Sequence, residues 1–107
     1  MHFSKIFRVK EGKLETVKEW FTTLSTTRKE EALATFEYEG VVREVFALFE
    51  GKDGNHYVIG LNETASEDGV PGSSDPTVAI NQEHSAVKKE CLEPISNPGK
   101  ILMDLSL

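Results

Sequence analysis

Glu44 stands in the middle of an apolar run, flanked on its own side by Val42 and Phe46. A carboxylate among apolar neighbours is desolvated unless it is paired. Desolvation raises its pKa and suits it to general acid or base work. The same position equally fits an ion pair with Arg8 or with a cation of a partner chain. Glu39 precedes Gly40 at the mouth of that run, where a pocket opens or a carboxylate simply meets water. His84 shares a helical stripe with Ile80, Val87 and Cys91. An imidazole titrates near neutrality and serves acid–base chemistry, although a lone histidine on an apolar stripe is commonly a core residue bonded to a carbonyl. Glu44, His84 and Glu39 are therefore the candidate catalytic residues.

Arg8, Asn62 and Asp104 are the candidate ligand-binding residues. Arg8 suits a carboxylate, and the other two suit a polar ligand; interface hydrogen bonds are the alternative for all three. No metal is expected, because His2, His56 and His84 lack ligand spacing. No cofactor is expected either. Gly69, Gly72 and Gly99 are isolated and form no phosphate-binding loop. Cys91 reads as a small buried hydrophobe. Trp20, at helical spacing, reads as core.

These residues are positioned by a recognisable order of patterns. His2 to Val9 alternates as a strand, and Leu14, Val17, Trp20 or Phe21, and Leu24 mark one helix face. Thr27 and Glu30 have capping-box spacing before a second helical stretch that ends near Gly40. Val41 to Phe49 and His56 to Asn62 are strands joined by a Gly51–Asn55 hairpin with an Asp-Gly signal. Ala65 to Thr77 is rich in Ser, Gly, Asp and Pro. Strand-to-helix connections usually take about 2–6 residues, so this one is an insertion or a lid. A late helix carries Ile80 to Cys91, with Pro76 or Asn81 at its start and Pro94 at its end. Lys100 to Leu107 is expected as the last strand. The order β-α-β-β-α-β is the split βαβ, ferredoxin-like arrangement: an α+β fold, one domain over residues 1–107, with a four-stranded antiparallel sheet and helices on one face.

Strand alternation sorts the side chains into two sets. Phe3, Phe7, Val9, Val45, Ala47, Phe49, Tyr57, Ile59, Leu61, Ile101, Met103, Leu105 and Leu107 are almost wholly apolar and are expected beneath the helices. Ser4, Ile6, Arg8, Val42, Glu44, Phe46, Leu48, Val58, Gly60, Asn62, Leu102, Asp104 and Ser106 form a mixed set. So many apolar members point to a second covered face. A second copy of the chain, sheet against sheet, would cover it.

Further stretches carry a resemblance: Lys10-Glu11-Gly12-Lys13-Leu14 turning into a helix bearing Trp20, then Glu30 to Gly40, Glu44, and Asn81-Gln82-Glu83-His84 with Cys91. On these the chain resembles the dimeric α/β-barrel superfamily, and within it a small uncharacterised bacterial-type family. The resemblance implies that two ferredoxin-like domains close a barrel around a pocket. The superfamily includes mutarotases, cofactor-independent monooxygenases and haem-degrading enzymes, so a chemistry is not implied.

The bulk numbers exclude other classes. The 107 residues carry 18 acidic against 12 basic side chains, a net charge of −6. Phosphate binding needs a basic face, so neither nucleic acid nor an anionic membrane surface is an expected partner. An RNA-recognition domain shares the topology, but His56-Tyr57-Val58-Ile59-Gly60 lacks its basic-Gly-aromatic pattern. A single cysteine and the absence of an apolar leader in MHFSKIFRV lead to the expectation of a cytoplasmic protein. Two functions remain. One is a homodimer with a small-molecule pocket on the covered sheet face, isomerase-like or monooxygenase-like. The alternative is a non-catalytic dimeric sensing or scaffolding module.

Overall fold

β1 (His2–Val9) is the strand about which the molecule is organised. It pairs antiparallel with β3 (His56–Thr64) on one side and with β4 (Leu92–Pro94) on the other. β2 (Val41–Glu50) pairs antiparallel with β3 and completes a four-stranded sheet in the order β2-β3-β1-β4. These elements belong to a computed structural model that describes residues 2–65 and 74–107, the side chains of His2 and Phe3 excepted. Of the long connection expected from Ala65 to Thr77, residues 66–73 lie outside the described residues.

α1 (Leu14–Ser25) and α4 (Ala79–Cys91) lie on one face of the sheet. Their apolar stripes bury Val17 and Cys91 against Phe7, Val9, Val58 and Leu92, with Leu14, Phe21, Phe46 and Val87 packed around that core. Between α1 and β2 run two short helices, α2 (Lys29–Ala34) and α3 (Phe36–Glu39). The expected capping box does not form. Arg28 occupies the N-cap of α2 and no side chain caps it. α3 ends at Gly40 with φ +69°, a left-handed conformation open to glycine without steric cost. In the β2–β3 hairpin the Asp53 carboxylate accepts the Asn55 N–H at 3.0 Å and also the Tyr57 hydroxyl.

The register corrects the two expected faces. Residues directly opposite each other share a face. Phe7 faces Val58, which faces Leu48; Lys5 faces Gly60, which faces Phe46; Asn62 faces Glu44. Glu44, Phe46, Val58, Gly60 and Asn62 therefore lie beneath the helices with Phe7, not on the opposite side with Arg8. The outer face instead carries Ile6, Ile59 and Ala47; Ser4, Leu61 and Val45; and Arg8, Tyr57 and Phe49. At the start of β2 a bulge between Val41 and Arg43 leaves Val42 unpaired. A bulge shifts the parity of the residues on either side of it. Val41, 4% exposed, and Glu44 thus both turn inward, while Val42 is 58% exposed.

The last strand is also corrected. Lys100 to Leu107 forms no strand. The chain passes from α4 straight into β4, and irregular contacts then carry it along β1, with the Ile95 N–H donating to the Ile6 carbonyl at 3.1 Å and Gly99 bridging to Ser4. Pro94 supplies no ladder donor and helps to end β4 after three residues. Beyond Gly99 several of the alternating side chains stay in solvent, with Leu102 and Leu105 90% and 82% exposed.

Candidate acid–base cleft

A cleft of about 840 Å³ opens between the helix-side face of the sheet, α4 and the α2–α3 segment. β2 and β3 supply its polar floor, where Glu44 and Asn62 stand on directly opposed residues. Side chains so placed have Cβ atoms about 4.5–5.5 Å apart. Glu39 enters from the end of α3, and His84 and Lys88 from α4. Leu24, Phe36, Phe46 and Ile80 provide apolar wall. Four of the six residues singled out in the sequence, Glu44, His84, Glu39 and Asn62, therefore come together, and they do so under the helices. Arg8 and Asp104 do not join them. Arg8 lies on the outer face, where its guanidinium pairs with Glu93. Asp104 is exposed in the segment beyond Gly99.

Glu44 is partly buried and makes no hydrogen bond or ion pair among the described residues. Burial pushes its carboxyl above the ordinary range; the negative charge of Glu39 adds to this and Lys88 offsets it. Glu39 is raised by burial too, against a hydrogen bond from the Ser74 hydroxyl at 3.3 Å, the charge of Lys88 and a bond from Thr35. Beside these carboxylates the Asn62 Oδ1 is fully buried and finds no donor among the described residues. A buried acceptor left unpaired is unfavourable, so the floor of the cleft is short of a donor. A protonated Glu44, or the hydroxyl or amide of a ligand, would supply one.

His84 has the opposite bias. Burial, aided by the positive charge of Lys88, lowers its pKa to about 4, so it is neutral at pH 7. The Nε1–H of Trp20 donates to its Nδ1 at 2.8 Å. Trp20 was expected only as core, and its bond to a residue 64 positions away in the chain has no local signal. Lys88 carries no motif in the sequence, and Ser74 stands in a Ser73-Ser74-Asp75 run that reads as no nucleophile motif. Cys91 is fully buried in the core, as expected, with its thiol pushed up chiefly by burial. Among the described residues no group of histidine, cysteine or acidic side chains could hold a metal ion. No described helix is long and apolar enough to cross a membrane.

The fold has a solved relative in shape. The crystal structure of a dimeric ferredoxin-like protein from an uncultured marine organism matches over 100% of both chains with a TM-score of 0.56, at 12% identity. No curated protein matches the chain. Residues 4–106 match the model of DUF6176, a family of unknown function, and the protein belongs to that family.

Proposed function

We propose that the protein is a homodimer, joined through the outer sheet face, in which each chain carries a small-molecule cleft for isomerase-like proton transfer. The observation that carries the reading is Glu44: a desolvated carboxylate with no cation bonded to it, on the floor of a cleft with an unpaired acceptor beside it. A structural ion pair would have lowered its pKa; here burial and a second carboxylate raise it. A carboxylate tuned upward in this way moves a proton near neutral pH more readily than a free side chain. Asn62 would orient the ligand, and the apolar walls would exclude water from it.

The dimer is supported by the outer face. Ile6, Val45 and Phe49 are 37%, 38% and 51% exposed there, and a contiguous apolar surface of this kind marks an interface. A protein of similar fold is itself described as dimeric.

A thermal-shift screen of small metabolites against wild type and Glu44→Gln tests the reading. A ligand at a hundredfold its Kd stabilises the folded protein by about 2.7 kcal/mol, which moves Tm by about 10 °C in a domain of this size. The expected outcome is a ligand that raises the wild-type Tm and loses that effect in the variant. A ligand that acts equally on both proteins favours the non-catalytic sensing module. A broad panel that leaves Tm unmoved contradicts the cleft as a binding site.

A further inference from the structure

We propose that Trp20 is a positioning residue of the cleft, whose indole fixes His84 with its proton on Nε2, so that the histidine acts as a hydrogen-bond donor to a carbonyl oxygen of the ligand and not as its base. The inference rests on the small-molecule reading of the cleft and names the ligand class: a compact carbonyl compound that also carries a hydroxyl.

An indole N–H is a donor with no acceptor capacity. The 2.8 Å contact from Trp20 Nε1 to His84 Nδ1 therefore requires a lone pair on Nδ1. Turning the imidazole over would set a C–H against the indole and orphan a partly buried donor, which is unfavourable. With Nδ1 occupied as an acceptor, the neutral ring must carry its proton on Nε2. No acceptor among the described residues takes that proton. His84 thus offers the cleft one unspent N–H.

The ring is clamped rather than merely touched. Its plane lies at 24° to that of Trp20 with centroids 6.1 Å apart, and the edge of Phe21 meets it from the same helix at 78°. Trp20 is held in turn. The Arg28 guanidinium lies 5.8 Å from its ring centroid, and Arg28 is tied to Glu31 at 2.9 Å and to Glu83 at 2.6 Å. Glu83 immediately precedes His84 on α4. The circuit Glu83–Arg28–Trp20–His84 closes on itself and locks α1 to α4 at the cleft wall. Burial holds the imidazole neutral, so at pH 7 it donates without carrying charge.

The rest of the cleft completes the ligand's chemistry. The fully buried Asn62 Oδ1 asks for a donor, which a ligand hydroxyl provides. Glu44, opposite it, also accepts. A molecule with an acceptor for His84 and a donor for Asn62 carries both a carbonyl and a hydroxyl group. A simple anion offers the acceptor alone and would be drawn to Lys88.

The test is imidazole nitrogen NMR on the full chain at pH 7, with hydroxyacetone and acetate as probes, in wild type and Trp20→Phe. The phenyl ring keeps the packing and removes the N–H. The free wild-type protein is expected to show His84 as the single Nε2–H tautomer, and the variant to lose that single state. Hydroxyacetone is expected to shift the wild-type Nε2 resonance and to lose that effect in the variant. An Nδ1–H tautomer or an imidazolium in wild type overturns the proposal, as does an unchanged tautomer in the variant. A shift with acetate alone, or with neither probe, overturns the donor role. The wild-type spectrum decides the tautomer even if the variant fails to fold. Failure here leaves the Glu44 reading standing if a metabolite raises the Tm of wild type and not of Glu44→Gln. A fixed tautomer with no metabolite effect fails that reading alone.

Discussion

Glu44 and His84 are opposed titrating groups in one cleft, and each leaves a separate mark on stability. The folded pKa of His84 is about 4, below the ordinary value of about 6.5 for an unfolded chain. Its neutral form is favoured by folding. Stability is therefore lost as pH falls from about 6.5 toward 4. Discounted for partial exposure, the loss amounts to about 1–2 kcal/mol by pH 5. His84→Gln keeps an oxygen that can accept the Trp20 N–H but does not titrate. Urea unfolding at pH 7 and pH 5 is expected to show a smaller acid-side loss in the variant than in wild type. Equal losses would mean that His84 is already charged or freely solvated. The raised carboxyls of Glu44 and Glu39 act in the other direction, disfavouring the folded state as pH rises.

At the scale of elements, the cleft depends on close packing of β3 against Phe46. A Cβ on Gly60 would stand 2.6 Å from Cε1 of Phe46, whose ring is itself packed on Phe21 with centroids 4.5 Å apart. The ring has no free end to swing away. Gly60→Ala is expected to cost about 1–3 kcal/mol, the range for overpacking a core, measured as a lower urea midpoint with an unchanged slope. A neutral effect would show that the cleft floor is loosely packed. The element order, the stripes of α1 and α4 and the hairpin loop were legible because each rests on local periodicity or turn chemistry. The faces of β2 and β3 were not. Val45, Ala47, Phe49, Ile59 and Leu61 are more apolar than the residues that actually face the helices, so hydrophobicity alone pointed them inward. The bulge at Val42 also has no residue signature. The edge strand was misplaced because Leu92–Pro94 is too short to alternate, whereas Ile101, Met103, Leu105 and Leu107 alternate well yet form no strand. Glu44, Glu39, Asn62 and His84, which line one cleft, stand out in the sequence by residue type, although Val42, expected on the side of Glu44, turns outward. Trp20 was missed because its partner is distant in sequence.

The whole molecule turns its most apolar sheet face outward, which for a lone chain of 11.9 kDa would leave that face wet. Light scattering at micromolar concentration is expected to give about twice that mass. Phe49→Asp, which sets a charge on the β2 edge of that face, should shift the population to the single-chain mass. A wild-type monomer would remove the dimer from the proposal while leaving the cleft intact, since Glu44, Asn62 and His84 all belong to one chain. The sharpest test of that cleft is the stability difference between Glu44→Gln and wild type across pH. The folded pKa of Glu44 is raised, so folding favours its uncharged form. The cost of its charge is absent below the unfolded value of about 4.3 and complete above the folded one. Glu44→Gln removes that cost. The variant should unfold a few degrees higher than wild type at pH 8, with the gain vanishing toward pH 4. A variant less stable than wild type at pH 8 would show that Glu44 is paired after all, and that the cleft holds a structural ion pair in place of an acid–base group.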